Sequence, residues 1–588
     1  MASALLGVLA LCGCATSSGG GSPPPPPSIT IKSIGVFYSG NSFLSGTFAI
    51  AGQRGFSLLV NGTGFTSSAV VNWNGSPLPT VLGDSADLAA TVSEAFIAAP
   101  GRATISVSEA GATSNAVALP IASPAAATAG VVTLVTAAPD GTPANGDSLV
   151  SPSISATGRY VAFQSNATNL ATGPAGTFQE IYERDTCVGA SSACTPNTIR
   201  ITVTADGSSV NAHSHDSAIS ADGRYVAFDS QATNILPGTN GCANTCVFLR
   251  DTCIGASGTC SPTTSLLSLA SDGTPAGGAN PAISPDGRFV AFNSLSPNIV
   301  IGDIGGTGEA FVRDTCVGAT NCTPHNIFIS VPGTGTQDNS TTGLPAGSGA
   351  SRYFVFQSWA ANILPNETSL PGDFWRDTCI GVTTSCSPST LRVDVASQGT
   401  QPNNSVFTPM APALSGDGRV VAFGSGATNL VSTNVQGQGN VYTRDTCTGA
   451  GSGCTPSTNL VSLANDGSVG NCGSPGNAGG LSISADGRFI SFGSIATNLS
   501  PDDGFPACGW EDIFVRDTCF GVSSGCVSST VRVSVAITPN PGISGNAISA
   551  SSAMSSDGHY VVFISSATNF LSPPSNGHAM VWLAKTGF

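Results

Sequence analysis

A single phrase, SADGRYVAFDS with its close variants, recurs seven times between residues 155 and 565. Its basic residue recurs at intervals of 64 to 71 residues, at Arg159, Arg224, Arg288, Arg352, Arg419, Arg488 and His559. Each repeat contains four short segments of β-forming residues, separated by Gly, Asn and Asp. A period of this length with four strands per repeat predicts the blades of a β-propeller.

The second repeat illustrates the expected strands. We predict strand A at Ala218–Ser220, strand B at Tyr225–Ser230, strand C at Cys246–Thr252 and strand D at Ser265–Leu269. Asp-Gly pairs between segments favour tight turns, because Gly adopts the positive φ that such turns need. The Ser-x-Asp-Gly-Arg-aromatic-Val-Ala-Phe phrase resembles TolB-like propeller repeats over residues 131–588. The better-known members of that family have six blades, but seven copies of the phrase predict seven blades here.

The last repeat is incomplete. It contains three strand-like segments, within Met554–Ser565 and Ala579–Thr586. A spare segment, Val131–Thr136, precedes the first repeat and has the pattern of a strand D. We therefore expect this N-terminal strand to complete the last blade and close the ring, which removes a free sheet edge.

The N-terminal residues predict export. Residues 1–14 contain an apolar run that is too short to span a bilayer and is typical of a signal peptide. The run ends in LCGC, which resembles the bacterial lipobox and implies cleavage before Cys14 and acylation of its side chain. Acyl chains would anchor the protein to a membrane of the cell envelope, facing either the periplasm or the exterior. An ordinary cleaved signal peptide is the alternative, and residues 15–28 are predicted to be a flexible Gly/Ser/Pro tether.

Residues 29–122 predict a small β-sandwich of short strands broken by Gly, Asn and Pro. The motifs NGTGF (Asn61–Phe65) and VNWNG (Val71–Gly75) resemble the IPT/TIG family of immunoglobulin-like domains. This resemblance implies a spacer or adhesion module rather than a catalytic domain. Residues 123–130 are an Ala-rich linker, so the expected fold class is all-β throughout.

The chain contains 18 cysteines, and an even number favours disulfides in an exported protein. Twelve of them lie in Arg-Asp-Thr-Cys repeats between strands C and D, where a hairpin brings two cysteines together. A zinc site would need four converging ligands at closer spacing, and redox catalysis favours Cys-x-x-Cys. We predict the disulfides Cys187–Cys194, Cys253–Cys260, Cys316–Cys322, Cys379–Cys386, Cys447–Cys454, Cys519–Cys526, Cys242–Cys246 and Cys472–Cys508.

Two groups of residues are weak candidates for metal binding. His213, His215 and Asp216 place two imidazoles beside a carboxylate, but no third protein ligand is identifiable, and a solvated loop is the alternative. Acids around the long loop of the sixth repeat could hold calcium through oxygen ligands, or could form an acidic loop without a metal. These acids are Asp502, Asp503, Glu511 and Asp512.

The repeated polar residues are predicted to serve the blades themselves. Arginines of the Gly-Arg-aromatic phrase and of the Arg-Asp pairs account for 12 of the 19 basic residues. We expect them to form structural salt bridges or turn caps. The Ala-Thr-Asn triplet that follows strand B is expected to be a turn former.

The net charge of −15 and the absence of a basic stripe exclude nucleic acid as a partner. No catalytic residue and no cofactor is predicted, and we expect a monomer. The preferred hypothesis is a non-catalytic envelope lipoprotein whose propeller binds a protein or glycan with its B–C and D–A loops, away from the membrane. The alternatives are a propeller enzyme acting on polysaccharide, such as a lyase or hydrolase, and a structural or adhesive surface protein.

Overall fold

A computed structural model describes residues 29–37, 45–46, 49–50, 55–98, 101–122, 132–150, 152–173, 176–237, 244–303, 308–331, 340, 342–347, 351–365, 367, 371–382, 385–404, 411–435, 437, 439–474, 480–499, 508–535, 545–570 and 577–588. The predicted leader, lipidation site, tether and linker lie outside these residues. The described regular structure is β-strand, apart from one short 3-10 helix at Glu94–Ile97. None of the described helical structure is long and apolar enough to cross a membrane.

The N-terminal unit consists of two β-sheets around one apolar core. Its strands are β1 (Thr30–Phe37), β2 (Ser45–Gly46), β3 (Ala49–Ile50), β4 (Phe56–Thr63), β5 (Val70–Trp73), β6 (Ser76–Pro77), β7 (Thr80–Leu82), β8 (Asp87–Val92), β9 (Gly101–Glu109), β10 (Ala112–Thr113) and β11 (Val117–Ala122). One sheet has the order β2-β1-β4-β8-β7 and the other β3-β11-β9-β5-β6, with β10 paired to β9. Strand β4 alternates strictly between buried and exposed residues, so one face packs on the core.

Seven four-stranded antiparallel sheets follow in the described part of the chain, and we number them one to seven by their A strands. The A strands are β13 (Ser153–Ile154), β17 (Ser214–Ile219), β21 (Ala279–Ile283), β25 (Thr342–Gly347), β29 (Ala413–Leu414), β33 (Leu481–Ile483) and β37 (Ser549–Met554). The B strands are β14 (Tyr160–Ser165), β18 (Tyr225–Ser230), β22 (Phe289–Ser294), β26 (Tyr353–Ser358), β30 (Val420–Ser425), β34 (Phe489–Ser494) and β38 (Tyr560–Ser565).

The outer half of each sheet contains strands C and D. The C strands are β15 (Glu180–Asp185), β19 (Cys246–Asp251), β23 (Glu309–Asp314), β27 (Gly372–Asp377), β31 (Asn440–Asp445), β35 (Asp512–Asp517) and β39 (Met580–Lys585). The D strands are β16 (Asn197–Arg200), β20 (Thr263–Leu266), β24 (His325–Phe328), β28 (Ser389–Arg392), β32 (Ser457–Leu460), β36 (Ser529–Arg532) and, from the other end of the chain, β12 (Val132–Leu134).

Within the residues that the structure describes, five pairs of neighbouring sheets are joined by a contact between an aromatic residue and a glycine. Tyr160, at the start of strand B in sheet one, packs on Gly223 in the A–B turn of sheet two. A Cβ at Gly223 would lie 2.2 Å from Cδ2 of Tyr160, and its φ is +81°, so glycine is required on both grounds. Tyr560 of sheet seven packs on Gly158 of sheet one in the same way, and β37 contacts β13. The sheets therefore form the closed ring of a β-propeller.

Strand β12 completes the last sheet, as the incomplete seventh repeat predicts. It pairs antiparallel with β39, with Val132 opposite Ala584 and Leu134 opposite Trp582. The backbone N–H of Val135 also donates to the carbonyl of Val581 at 2.9 Å. Two segments from opposite ends of the propeller sequence thus share one hydrogen-bonded ladder.

The predicted bounds of strands A and D in sheet two were wrong. Strand β20 begins earlier than expected and ends at Leu266, because Leu269 pairs instead with Pro275 in a short hairpin after the strand. Strand β17 begins at Ser214 rather than Ala218, because the segment pairs with strand B across a bulge.

The Ala-Thr-Asn triplet joins two loops rather than forming a local turn. In sheet one, Asn145 Nδ2 donates to Thr168 Oγ1 at 2.8 Å, and the Thr168 N–H donates back to Asn145 Oδ1. Asn169 Oδ1 accepts from the Asn145 N–H at 3.0 Å. The same set recurs at Asn211, Asn403, Asn471 and Asn546. The triplet therefore ties each of these B–C loops to the loop that enters strand A.

Candidate functional site

The antiparallel order of each sheet gives the ring two different faces. The B–C loops and the D–A loops lie on one face, which we call the loop face. The A–B turns and C–D hairpins lie on the other, which we call the disulfide face. Residues that repeat in every sheet stabilise the sheet. The candidates for a functional site are therefore residues that occur in one sheet and not in the others.

The Arg-Asp repeats on the disulfide face are structural. Asp185 accepts from Nε and Nη2 of Arg159 at 3.0 and 2.8 Å, and from the backbone N–H of Cys187 at 2.8 Å. Equivalent ion pairs, with Nη2–Oδ2 distances of 2.5 to 2.8 Å, occur at Arg224, Arg288, Arg352, Arg419 and Arg488. The neighbouring Arg184 instead donates to the carbonyl of Ala137 and to Thr198 Oγ1, so it links two sheets.

The disulfide face contains six short hairpin disulfides, with Cα–Cα distances of 5.6 to 5.8 Å. They join Cys187–Cys194, Cys253–Cys260, Cys316–Cys322, Cys379–Cys386, Cys447–Cys454 and Cys519–Cys526. Cys472–Cys508 is also bonded, and Cys246 is in a disulfide, although its predicted partner Cys242 lies outside the described residues. Asp185, Cys187 and Cys194 lie close enough together to resemble metal ligands, but the bonded cysteines provide no thiolate.

His213, His215 and Asp216 lie on the loop face, at the start of β17. Each of them forms a hydrogen bond with a different residue. His213 Nδ1 accepts from a backbone N–H of sheet one at 3.2 Å, and His215 Nδ1 lies 3.0 Å from Nε2 of Gln164. The two rings stack, with centroids 6.0 Å apart. Asp216 Oδ2 accepts from Asn280 Nδ2 of sheet three at 3.0 Å. The three residues therefore bridge sheets one, two and three, which favours a structural role over the candidate metal site.

Asn280 brings two carboxyl groups together. Its side-chain amide donates to Asp216, and its backbone N–H donates to Asp229 Oδ2 at 3.0 Å. Burial raises the pKa of Asp229 to about 7, and the negative charge of Asp216 adds to this rise. Burial also raises the pKa of Asp216. The carboxyl group of Asp229 is therefore partly protonated near neutral pH.

Two of the four acids that were weak candidates for calcium in the sixth repeat, Glu511 and Asp512, lie within the described residues. Asp512 is the first residue of β35 and is buried; it accepts from Ser534 Oγ at 2.6 Å and lies 3.7 Å from Arg532 Nη1. The carboxylate of Asp512 is therefore already bound by residues of its own sheet. The neighbouring Glu511 is buried as well. Asp502 and Asp503 lie outside the described residues.

A cavity of about 560 Å³ opens at the outer rim between sheets four and five. Its polar wall contains Arg392, which donates to both oxygens of Asp394 at 2.8 and 2.9 Å and also pairs with Glu367. The remaining wall is mostly apolar, with Leu364 and Val393. The charged groups neutralise one another, so the cavity is a weaker candidate than the loop face.

Large exposed apolar side chains of the propeller concentrate on the loop face. Among the described residues they are Leu149, Leu295, Ile301, Trp359, Trp510 and Ile548 there, against Leu391, Val522 and Val527 elsewhere. Ile301 is 93% exposed and Trp510 48% exposed. Leu295 and Ile301 belong to the same B–C loop, and exposed apolar groups that lie together are typical of an interaction surface.

No protein-family model matches the chain, and no curated protein matches it. Similar solved structures include TolB from Acinetobacter baumannii, with 13% identity, coverage of 59% of this chain and 75% of that one, and a TM-score of 0.29. An auxiliary nutrient binding protein from Bacteroides thetaiotaomicron has 11% identity, coverage of 79% and 95%, and a TM-score of 0.32. Trypanosoma rangeli sialidase has 10% identity, coverage of 78% and 60%, and a TM-score of 0.32. TM-scores this low carry no argument, so the assignment of a β-propeller rests on the seven four-stranded sheets of the described residues.

Sequence reasoning missed Asp229, Asn280 and Gln164. The signal was present inside the repeated phrase, at the residue between the Phe and the final Ser of strand B. That position varies while its neighbours repeat: Gln164, Asp229, Asn293, Gln357, Gly424, Gly493 and Ile564. A varying polar residue inside an otherwise uniform strand marks a place where one sheet differs from the others.

Proposed function

We propose that this chain is a non-catalytic, lipid-anchored protein of the cell envelope, acylated at Cys14, whose seven-bladed propeller binds a protein or glycan with its loop face. Residues 29–122 would be an immunoglobulin-like spacer of the IPT/TIG type. The anchor and spacer would lie on the side of the disulfide face, which leaves the loop face free for the partner. Disulfides support an oxidising compartment, because they persist outside the reducing cytosol.

The observation that carries the proposal is the concentration of exposed apolar residues on the loop face. The test is a pull-down from native envelope with the mature protein and with Leu295→Asp plus Ile301→Asp. We expect this double variant to lose the partner, because two charges would enter the desolvated part of the interface. Val522→Asp plus Val527→Asp, on the disulfide face, is the matched control and should retain it. Equal capture by both variants would contradict the proposal.

Membrane attachment has a separate test. Cys14→Ser should move the protein from the membrane fraction to the soluble fraction and abolish incorporation of a labelled fatty acid, because the acylated side chain is lost. Labelling that persists in Cys14→Ser would exclude this anchor. Binding by the loop face would not be affected by that result.

A second function, cleavage of a polysaccharide, is favoured by the Asp216–Asp229 pair. An acid with a pKa near 7 can donate a proton to a leaving group at neutral pH. Asp229→Asn would then abolish release of sugar ends while leaving binding of the polysaccharide intact. Wild-type protein that binds a polysaccharide and never shortens it would exclude the enzyme.

A further inference from the structure

The loop face is chemically uneven around the ring. At the varying position of strand B, sheets one to four contain Gln164, Asp229, Asn293 and Gln357, whereas sheets five to seven contain Gly424, Gly493 and Ile564. At this position, side chains that can form hydrogen bonds therefore lie in sheets one to four. We call Gln164, His215, Asp216, Asp229, Asn280 and Asn293 the polar arc.

Each varying residue of the polar arc reaches the inner strand of the next sheet. Gln164 Nε2 donates to the carbonyl of Ser214 at 3.1 Å, Asp229 accepts from Asn280, and Asn293 Nδ2 donates to the carbonyl of Thr342 at 2.7 Å. These contacts join sheets one to four close to the ring axis, where the A strands contact one another.

In each case, one oxygen is left without a protein donor. Within the described residues, Gln164 Oε1, Asp229 Oδ1 and Asn293 Oδ1 are buried and have no hydrogen-bond partner. Gln164 and Asp229 are each 2% exposed. A buried acceptor without a donor costs about 1–3 kcal/mol, so three in adjacent sheets point to a donor-rich ligand.

The inner strands of three sheets in this arc contain bulges, as does β37 of sheet seven. In the arc, registers shift in β17, β21 and β25, and the bulge residues Asp216 and Asn280 have φ values of 28° and 53°. Both side chains are half-buried rather than buried. Bulges with unusual backbone angles are frequent beside binding sites, because they redirect side chains that regular strands would place elsewhere.

Trp359 provides an apolar surface next to the polar arc. Its ring lies beside Gly343 on the inner strand β25, where an added Cβ would lie 3.7 Å from Cζ3 of the indole. The side chain is 38% exposed. Gly343 follows Thr342, which accepts from Asn293, so the indole and the polar arc are neighbours.

The electrostatics of the polar arc favour an uncharged ligand. Burial raises the pKa of Asp229 to about 7, so its carboxyl group is divided between the neutral and the ionised form near neutral pH, and burial lowers the pKa of His215, which disfavours a positive charge there. Asn280 directs one N–H to Asp216 and another to Asp229. Donors on both carboxyl groups disfavour a bound cation, which would need those oxygens for itself.

We propose that the polar arc and Trp359 form a binding site for a neutral oligosaccharide. The C–H face of a sugar ring would pack on the indole, and sugar hydroxyl groups would donate to the acceptors of the arc. A site built to receive hydroxyl donors discriminates strongly against ligands that lack them. This inference rests on the proposed binding function of the loop face and assigns the ligand class and the subsite.

The test is titration of the full chain with cellohexaose, xylohexaose, mannohexaose and maltohexaose, followed by calorimetry and intrinsic tryptophan fluorescence. Hexagalacturonic acid is the anionic comparison. We expect at least one neutral hexasaccharide to bind, and Trp359→Ala to weaken that binding about tenfold through loss of ring packing. Val522→Ala is the matched control, because Val522 is 39% exposed on the disulfide face, away from the loop face, and its loss should leave the affinity unchanged.

Three results would overturn the inference: no binding of any of the four neutral sugars, tighter binding of hexagalacturonic acid, or equal weakening by Trp359→Ala and Val522→Ala. Thermal melting of each variant checks that its fold is intact. A protein partner captured through Leu295 and Ile301 in the absence of sugar binding would leave the proposed function standing and refute this subsite. Loss of both kinds of binding would refute both.

Discussion

At the residue scale, Glu183 is an exception to the apolar packing between sheets. It lies within β15 and is 1% exposed, and neither carboxylate oxygen has a hydrogen-bond partner among the described residues. Burial raises its pKa well above the ordinary value of 4.5, and the negative charges of Asp185 and Asp222 add to the rise. The equivalent residue of sheet two is Leu249.

We predict that Glu183→Leu stabilises the propeller by about 1–3 kcal/mol at mildly alkaline pH. The folded wild type holds a proton that the unfolded chain releases above its ordinary pKa, so its unfolding free energy falls as pH rises from there to the folded-state pKa. Denaturation midpoints measured across this range should fall less steeply for the variant than for the wild type, because other buried carboxyl groups such as Asp229 keep their raised pKa values. Glu183→Gln should remove the same part of the pH dependence, whereas parallel wild-type and variant curves would show that Glu183 is solvated.

The contact between Tyr160 and Gly223 can be isolated by two glycine substitutions. Gly223→Ala should lower the unfolding free energy by about 2–4 kcal/mol, because it adds a clash to the cost of a positive φ. Gly207→Ala has the same backbone cost, since its φ is +83°, but no atom lies within 4 Å of the added Cβ. Melting temperatures should fall further for Gly223→Ala, and equal falls would mean that the contact contributes nothing.

At the element scale, the two kinds of disulfide close loops of different length. Cys447–Cys454 spans 7 residues within a C–D hairpin, whereas Cys472–Cys508 spans 36 and joins the loop before strand A to the B–C loop. A longer loop restricts the unfolded chain more. Replacing Cys472 and Cys508 by serine should therefore cost about 1 kcal/mol more than replacing Cys447 and Cys454.

Chemical denaturation under non-oxidising and non-reducing conditions measures that difference between the two double variants. A larger loss from the short hairpin would show that native contacts around Cys447, rather than loop length, decide the stability.

The elements differ in how far the sequence determines them. Strand B and the Asp-Gly turns follow from local pattern, because Val, Ala and Phe alternate with turn residues in each repeat. Strand D was misplaced, since Leu269 looks like a strand residue yet pairs with Pro275 in a separate hairpin. The link from Asn145 to Thr168, and the bridge from Asn280 to Asp229, join residues far apart in sequence. No local pattern predicts such links, although the varying residue of strand B marks where one of them lies.

At the scale of the whole molecule, ring closure depends on three residues of β12. A chain that begins at residue 123 keeps this strand and should melt as the propeller of the full chain does. A chain that begins at residue 140 lacks it and leaves β39 as an unpaired edge, which favours association with other strands. We expect the shorter chain to be less stable and to form oligomers in light scattering. Identical melting and a monomeric state for both chains would show that closure by β12 is dispensable.

The pairing of β12 with β39 also has a consequence for the order of biosynthesis. Thr136 and Val581 are hydrogen-bonded across 445 residues, so the first strand of the propeller is synthesised long before its partner. At a typical elongation rate, the delay is roughly 20–90 s. During this interval β12 lacks its partner strand β39. A chaperone that shields this single segment would therefore protect the whole ring until synthesis ends.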